Sequence, residues 1–194
     1  MFVGHEELVM GLVGLPAGRQ VTIDLAQNFV LQYFSGNNEN IPVGMLAMKM
    51  ADEVYKRSKS TLSAPLMFNA ALLGRSLSNS KHHKSEIKLI KVYQSAGFFD
   101  CKAVALGFKA AALNAWLKEK YGESSPEDLT ALMKRGMECV QELDMKCEIN
   151  VEFCLMTAHP NIRIHGPLAL SHTTMNKLNT TQFDSLLKDA ITQT

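Results

Sequence analysis

The sequence has no long apolar run, few aromatic residues and no cysteine spacing typical of a disulfide scaffold. Its most apolar stretch, VALGFKAAALNAWL, is interrupted by Lys109 and is shorter than the roughly 18 apolar residues that a membrane span needs. The four cysteines, Cys101, Cys139, Cys147 and Cys154, follow no CxxC pattern, which favours reduced thiols in a reducing compartment. The N-terminal segment MFVGHEELVM lacks the basic region of a signal peptide. We therefore expect a soluble intracellular protein.

Catalytic motifs are also missing from the sequence. It contains no glycine-rich phosphate loop, no GxSxG nucleophile motif and no HExxH metal motif. Adjacent acidic pairs such as Asp52–Glu53 diverge on a helix, because neighbours in sequence do not share a face. The cysteines and histidines between Cys147 and His165 fit no compact zinc module. The sequence therefore predicts no enzyme, no metal site and no cofactor.

Helical periodicity recurs along the chain, whereas strand signals are few. The run TIDLAQNFVLQYF follows the turn GLPAG and stops near Gly36, a typical C-terminal cap. Pro42 suits the first turn of a second helix. The pattern predicts an all-α fold, a compact multi-helix bundle. We divide it into an N-terminal helical subdomain over residues 1–60, a middle helical subdomain over 61–148 and a small C-terminal helical region over 149–194.

The most unusual feature is the basic segment NSKHHKSEIKLIKVY, residues 79–93. If this segment is helical, its lysines form one stripe, because they are three or four residues apart, and Ile87 and Ile90 lie together on the other side. Residues 41–95 hold nine basic residues against three acids, whereas residues 1–40 hold one against four. Aromatic residues are not interleaved with these cations, which argues against a stacking platform for single-stranded RNA. A lysine-rich face suits a diffuse anionic surface, either lipid head groups or a nucleic-acid backbone.

We predict a membrane- or phosphate-binding surface built from the basic side chains of this zone. They are Lys49, Lys56, Arg57, Lys59, Arg75, Lys81, Lys84, Lys88 and Lys91. His82 and His83 lie within the lysine stripe, and a histidine titrates near the pH of an endosome, so both are predicted pH-sensing residues. A solvated helix face is the plainer interpretation of the same charge run.

The order of these segments resembles the matrix proteins of orthomyxoviruses, the family best known from influenza. GLPAG followed by IDLAQNFVLQYFSGNNENI is similar to the first turn, second helix and following loop of that family. FNAALLG, KSEIKLIKVYQ, FDCKAVALGFKAAALNAWLKEKYG and LMKRGMECVQELD follow in the same order as its middle domain. The resemblance covers roughly residues 12–145, and the short length favours the fish orthomyxovirus (isavirus) branch.

This resemblance implies a structural, non-enzymatic viral protein that polymerises into a layer beneath the envelope. Its expected partners are anionic lipid membrane, other copies of itself, the viral ribonucleoprotein or RNA, and the tails of viral glycoproteins. Its expected locations are the inner face of the virion envelope and the host cytoplasm, plasma membrane and nucleus. The alternative hypothesis is an RNA-binding nucleocapsid-type or nuclear nucleic-acid-binding protein that uses the same lysines on phosphates.

Overall fold

The computed structural model describes residues 2–4, 7–76, 86–121, 131–132, 135–136, 138–139, 150–157 and 163–171. Contacts divide the chain into two compact units. The first unit comprises Met1–Phe108 and Ala158–Arg163, and the second comprises Lys109–Thr157 and Ile164–Thr194. The subdomain boundaries predicted at residues 60 and 148 stay a prediction.

The first unit is an antiparallel sheet with two helices, so the predicted all-α helical bundle is wrong. Its elements in chain order are β1 (Phe2–Gly4), β2 (Leu8–Gly14), α1 (Pro16–Asn37), α2 (Val43–Lys59), β3 (Phe68–Ser76), β4 (Glu86–Val92) and β5 (Phe98–Cys101). The five strands lie in the order β1-β2-β3-β4-β5, and every neighbouring pair is antiparallel. Both helices are therefore inserted between two strands that pair with each other, β2 and β3.

The second unit contains helix α3 (Ala110–Tyr121), strand β6 (Asn150–Thr157) and most of strand β7 (Arg163–Ser171). The two strands form a separate two-stranded sheet. The predicted helical C-terminal region over 149–194 is therefore wrong where these strands lie. Residues 172–194 of that predicted region lie outside the described residues.

Both predicted helices of the first unit are present, but α1 begins at Pro16, inside the predicted turn GLPAG and six residues before the predicted periodic run. Pro16 occupies the first turn of α1, where a missing N–H costs nothing. The helix continues past the predicted cap Gly36, and Asn38 adopts the left-handed conformation, with its backbone N–H donating to the Phe34 carbonyl oxygen at 2.7 Å. Pro42 precedes α2 as its N-terminal cap residue, and basic residues fill the last turn of α2.

Strand β4 occupies the segment that was predicted as the lysine helix. Successive side chains of a strand point to opposite faces, so Lys88 and Lys91, three residues apart, lie on different sides of the sheet. Ile90 and Val92 are buried on the side of Lys88, whereas Ile87 and Leu89 are half-buried on the side of Lys91. The predicted single stripe of lysines is therefore not formed by the residues of β4.

Helices α1 and α2 cover one face of the five-stranded sheet and enclose the core of the first unit. Alternate residues of β3 are buried there, beginning with Phe68. The largest fully buried side chains are Phe68, Met10, Leu46, Leu72, Val43, Val92 and Thr22. Burying each large apolar side chain stabilises the fold by about 1.5–3 kcal/mol. Across the ranges that the structure describes, no helix has both the length and the hydropathy required to cross a bilayer.

Candidate subunit interface

The three predicted basic residues at the end of α2 each contact a side chain of the same helix. Lys56 Nζ lies 3.7 Å from an Asp52 carboxylate oxygen, and both side chains are well exposed. Arg57 Nε donates to Glu53 Oε1 at 2.8 Å, four residues earlier. Lys59 Nζ lies 5.7 Å from the centre of the Tyr55 ring. The end of α2 therefore carries a mixed-sign surface.

Arg75 connects the end of β3 to two other segments of the first unit. Its Nε lies 3.2 Å from Glu7 Oε2, an ion pair in which the N–H is not aligned for a hydrogen bond. Its backbone N–H donates to the Glu7 carbonyl oxygen at 3.4 Å, and a guanidinium nitrogen lies 3.5 Å from the Asn40 carbonyl oxygen. Arg75 is thus half-buried in a structural contact between the start of β2, the end of β3 and the loop after α1.

The other predicted basic residues that the structure describes, Lys49, Lys88 and Lys91, also have partners. Lys88 Nζ lies 3.2 Å from an Asp100 oxygen on β5, and Lys91 Nζ lies 4.6 Å from the centre of the Tyr93 ring. Lys49 Nζ lies 5.7 Å from the centre of the Phe29 ring. These residues are spread over a helix and both faces of the sheet, so the structure does not bring them together as one surface. Lys81, Lys84, His82 and His83 lie outside the described residues.

A small cavity of about 10 Å³ lies between α1, α2 and β3. Apolar side chains, among them Phe29, Met50 and Phe68, form most of its lining. The two polar side chains that contribute to it are already bonded: Glu53 accepts from Arg57, and the Thr22 hydroxyl donates to the Gly18 carbonyl oxygen at 2.7 Å. The cavity therefore offers no convergent polar groups that would orient a ligand.

Cys101 on β5 has a thiol with a perturbed pKa. Partial burial on β5 raises the pKa of the Cys101 thiol above its ordinary value, and the nearby positive charge of Lys91 opposes this rise. Its Sγ lies 3.6 Å from the Leu89 carbonyl oxygen. A thiol with a raised pKa is a poor nucleophile at neutral pH. Within the described ranges, no group of histidine, cysteine or acidic side chains is arranged to hold a metal ion.

The outer face of α1 is the surface best suited to another protein. From Leu25 to Asn38 the helix and its cap contain no charged residue. Leu31 is 59% exposed and Phe34, one turn later, is 40% exposed. Gln27 lies one turn before Leu31 on the same side of the helix. Surfaces that bind other proteins are depleted of charge and enriched in aromatic residues at their centre, as this one is.

Sequence reasoning missed this surface, which we call the α1 outer face and define by Gln27, Leu31 and Phe34. The sequence does carry a signal for this surface, because the second half of the long helix contains no charged residue. A solvated helix usually carries charged residues on its exposed side.

A family model described as proteasome subunit matches residues 2–156 of the chain. A comparison with curated proteins found no match to this chain. The family match overturns the resemblance to orthomyxovirus matrix proteins and, with it, the predicted matrix function and the alternative nucleic-acid-binding function. The short motifs behind that resemblance agreed in order and in helical character, but several of those segments are strands in the structure.

The other predictions that depended on the resemblance are corrected in the same way. Proteasome subunits assemble with other proteasome subunits, so anionic membranes, viral ribonucleoproteins and glycoprotein tails are wrong as partners. The family implies a proteasome complex of the cytoplasm or nucleus, so the virion envelope is wrong as a location. The prediction that the chain is not an enzyme conflicts with a family whose members are threonine protease subunits. The chain belongs to the proteasome subunit family.

Proposed function

We propose that this chain is a subunit of a proteasome-type complex and that its α1 outer face contacts a neighbouring subunit of that complex. The observation that carries the proposal is the uncharged, partly apolar surface around Leu31 and Phe34 on the longest helix of the first unit. Because charge is absent there, desolvating the surface costs little, and the exposed aromatic ring supplies a central contact.

The position of α1 in the fold supports this role. The opposite side of the helix, including Ala26 and Val30, is buried against the core and holds the helix rigidly. A surface on a rigid element loses little conformational entropy when it binds, so more of the contact energy appears as affinity. By contrast, the exposed side of α2 carries Asp52 and Lys56, and desolvating charged groups is costly.

Thr22, the buried threonine of α1, is not available as the nucleophile of a threonine protease. Threonine proteases need a hydroxyl that can reach a base and a substrate. The Thr22 hydroxyl is buried and already donates to the Gly18 carbonyl oxygen inside α1. Thr22 therefore has a structural role at the helix–sheet contact.

The test is recovery of a tagged chain from the cells that encode it, followed by native mass spectrometry of the purified complex. We expect the wild-type chain to be recovered with other subunits of the proteasome family in a multi-subunit particle. Leu31→Arg would bury a charge in the contact, so it should reduce incorporation about tenfold or more. Recovery of the wild-type chain as a monomer, or with no proteasome-family subunit, would contradict the proposal.

Gln32→Arg is the matched control, because Gln32 is exposed on the same helix but lies away from the line of Gln27, Leu31 and Phe34. It introduces the same charge and should leave incorporation unchanged. Both variants should keep the circular dichroism and thermal unfolding of the wild-type chain. If Gln32→Arg and Leu31→Arg lose incorporation equally, the α1 outer face is not the specific contact.

A further inference from the structure

We propose that Ser60 is a phosphorylation site for a protein kinase that selects basic residues before the acceptor hydroxyl. Ser60 directly follows α2, and the sequence around it is KRSKSTLSAP. This inference does not rest on the proposed assembly function, because it depends only on the accessibility, charge and chemistry of one loop.

The segment that follows α2 is open to another protein over its whole length. Every residue from Ser60 to Pro65 is exposed, and Leu62 is 97% exposed. The backbone of Ser60 is already extended, with φ −81° and ψ 132°. A kinase must take its substrate as an accessible extended segment, and a loop that packs against nothing can enter such a groove at little cost.

The last turn of α2 supplies the cations that such a kinase would recognise. Arg57 lies three residues before Ser60, Lys56 four residues before it and Lys59 directly before it. Kinases select their substrates partly by such patterns of charge. Lys56 contacts Asp52 on an exposed helix surface, whereas the Arg57–Glu53 contact is partly buried. Exposed pairs contribute little, and the ends of helices fray, so Lys56 can exchange into an acidic pocket of a kinase, and Arg57 can do so when the last turn opens.

Hydrogen bonding distinguishes Ser60 from the neighbouring Ser58. The Ser58 hydroxyl lies inside α2 and donates to the Tyr55 carbonyl oxygen at 2.7 Å. Ser60 Oγ instead accepts a hydrogen bond from the Leu62 backbone N–H at 3.1 Å, which leaves its own proton outside that bond. Ser60 is therefore the hydroxyl of this segment that combines exposure, an extended backbone and an arginine three residues earlier.

In the reaction, Ser60 Oγ attacks the γ-phosphorus of ATP, which the kinase supplies with Mg²⁺. A new bond joins Oγ to phosphorus, the bond from phosphorus to the bridging oxygen breaks, and ADP leaves. The hydroxyl proton passes to a base of the kinase. The product carries about −1.5 to −2 charge at pH 7 beside Lys56, Arg57 and Lys59. With Asp52 and Glu53 beside these cations, phosphorylation would therefore change the net charge at the end of α2 from positive to negative.

The experiment treats the purified chain with ATP, Mg²⁺ and a purified kinase that requires arginine three residues before its target, and maps phosphate by peptide mass spectrometry. We expect one phosphate on Ser60 of the folded chain and none on that peptide in Ser60→Ala. Ser63→Ala, a change in the same exposed loop, is the matched control and should not affect incorporation. Arg57→Ala should slow incorporation about tenfold, as expected for the loss of a charge-assisted contact.

Arg19→Ala removes an arginine from the other helix and should leave the rate unchanged, and circular dichroism should show that every variant stays folded. Two results would overturn the proposal. One is phosphate on Ser63 or Thr61 with none on Ser60. The other is modification of Ser60 that appears only after the chain is denatured, or that proceeds at the wild-type rate in Arg57→Ala.

Discussion

Gly74 on β3 shows how a single residue can limit what the fold tolerates. A Cβ atom at this position would lie 3.0 Å from the Glu7 carbonyl oxygen, 3.0 Å from Leu8 Cδ1 and 3.2 Å from Val43 Cβ. The first of these is a backbone atom on the neighbouring strand, so it cannot rotate away. Glycine at 74 is what allows β2 and α2 to pack this closely on β3.

We therefore expect Gly74→Ala to lower the free energy of unfolding by about 1–3 kcal/mol, the range typical of overpacked cores. Urea denaturation followed by circular dichroism measures the change. Gly36→Ala is the matched control: it lies near the end of α1, and an added Cβ there would meet nothing within 4 Å. Because alanine favours a helix over glycine, this control should raise stability by up to about 1 kcal/mol. Equal effects of the two substitutions would contradict the close packing at Gly74.

Cys101 offers a second test at the scale of one residue. Burial raises the pKa of its thiol and Lys91 opposes the rise, so the reactive thiolate should form only at a higher pH than in a free cysteine. We expect the pH midpoint of Cys101 alkylation by iodoacetamide, followed on its peptide by mass spectrometry, to lie above that of N-acetylcysteine.

Lys91→Ala removes the cation that favours the thiolate, so the Cys101 pKa and the alkylation midpoint should rise further. Lys102→Ala changes a lysine next to Cys101 in sequence and is the comparison, since Lys102 is not among the causes of the pKa shift. A midpoint at or below that of the free thiol would show that partial burial does not control this residue.

At the scale of elements, β4 distinguishes a strand from the predicted helix through two isoleucines. On a helix Ile87 and Ile90, three residues apart, would share one face, whereas on a strand they lie on opposite faces. Ile90 is only 2% exposed and belongs to the core, while Ile87 is half-buried on the other side. Ile90→Ala should therefore cost about 2–5 kcal/mol of unfolding free energy, as large-to-small changes in cores do.

Ile87→Ala is the matched change in the same strand and should cost much less, about 1 kcal/mol, because less apolar surface is removed from water on that side. Thermal unfolding of both variants measures the difference. Similar losses for the two would favour a shared face and would count against the strand.

The elements that could be predicted are those whose signals are local. Pro42 and the periodic runs predicted α2 and most of α1, although the turn predicted over GLPAG is the first turn of α1. The strands were missed because NAALLG and EIKLIKV are short runs whose residues suit a helix as well as a strand. Alanine and leucine favour helices when isolated, yet β3 pairs with β2 and β4 on both sides, and this long-range pairing outweighs local preference.

At the scale of the whole molecule, the structure indicates that apolar contacts, rather than the charged contacts predicted from the sequence, should bind the chain to its partners. The basic residues that suggested a charge-driven layer are paired with acids or rings wherever the structure describes them. The α1 outer face has no charge between Leu25 and Asn38. Assembly through this face should therefore depend on the burial of apolar surface, which salt does not screen.

We expect incorporation of the chain into its complex to change little between about 0.1 M and about 1 M sodium chloride, although the screening length falls from about 10 Å to about 3 Å. Purification of the tagged chain at the two salt concentrations, with the co-recovered subunits quantified by mass spectrometry, measures this. Loss of the partners at high salt would show that charged residues dominate the contact.

The candidate site could have been predicted in part, and the family could not. The charge-free second half of α1 is visible in the sequence, and a helical wheel places Gln27, Leu31 and Phe34 together. Which face of α1 is open depends on where the sheet lies, and β2 and β3 are separated by more than fifty residues of chain. The resemblance to a viral family rested on helix order, which several unrelated folds can share.

The insertion of both helices between β2 and β3 also has a consequence for how the chain acquires its structure. Leu8 must find Gly74 across the whole of α1 and α2 before the centre of the sheet exists. Contacts so distant in sequence slow folding, because the chain loses conformational entropy when the loop closes, before the strand pairing contributes any stabilisation. The ribosome adds about 5–20 residues per second, so several seconds pass between the synthesis of β2 and that of β3. In that time β2 and the inner sides of both helices have no β3 to pack against. During that interval the nascent chain exposes the apolar surface that its own sheet later covers. A chaperone that binds exposed apolar surface would therefore find its largest binding surface at this stage.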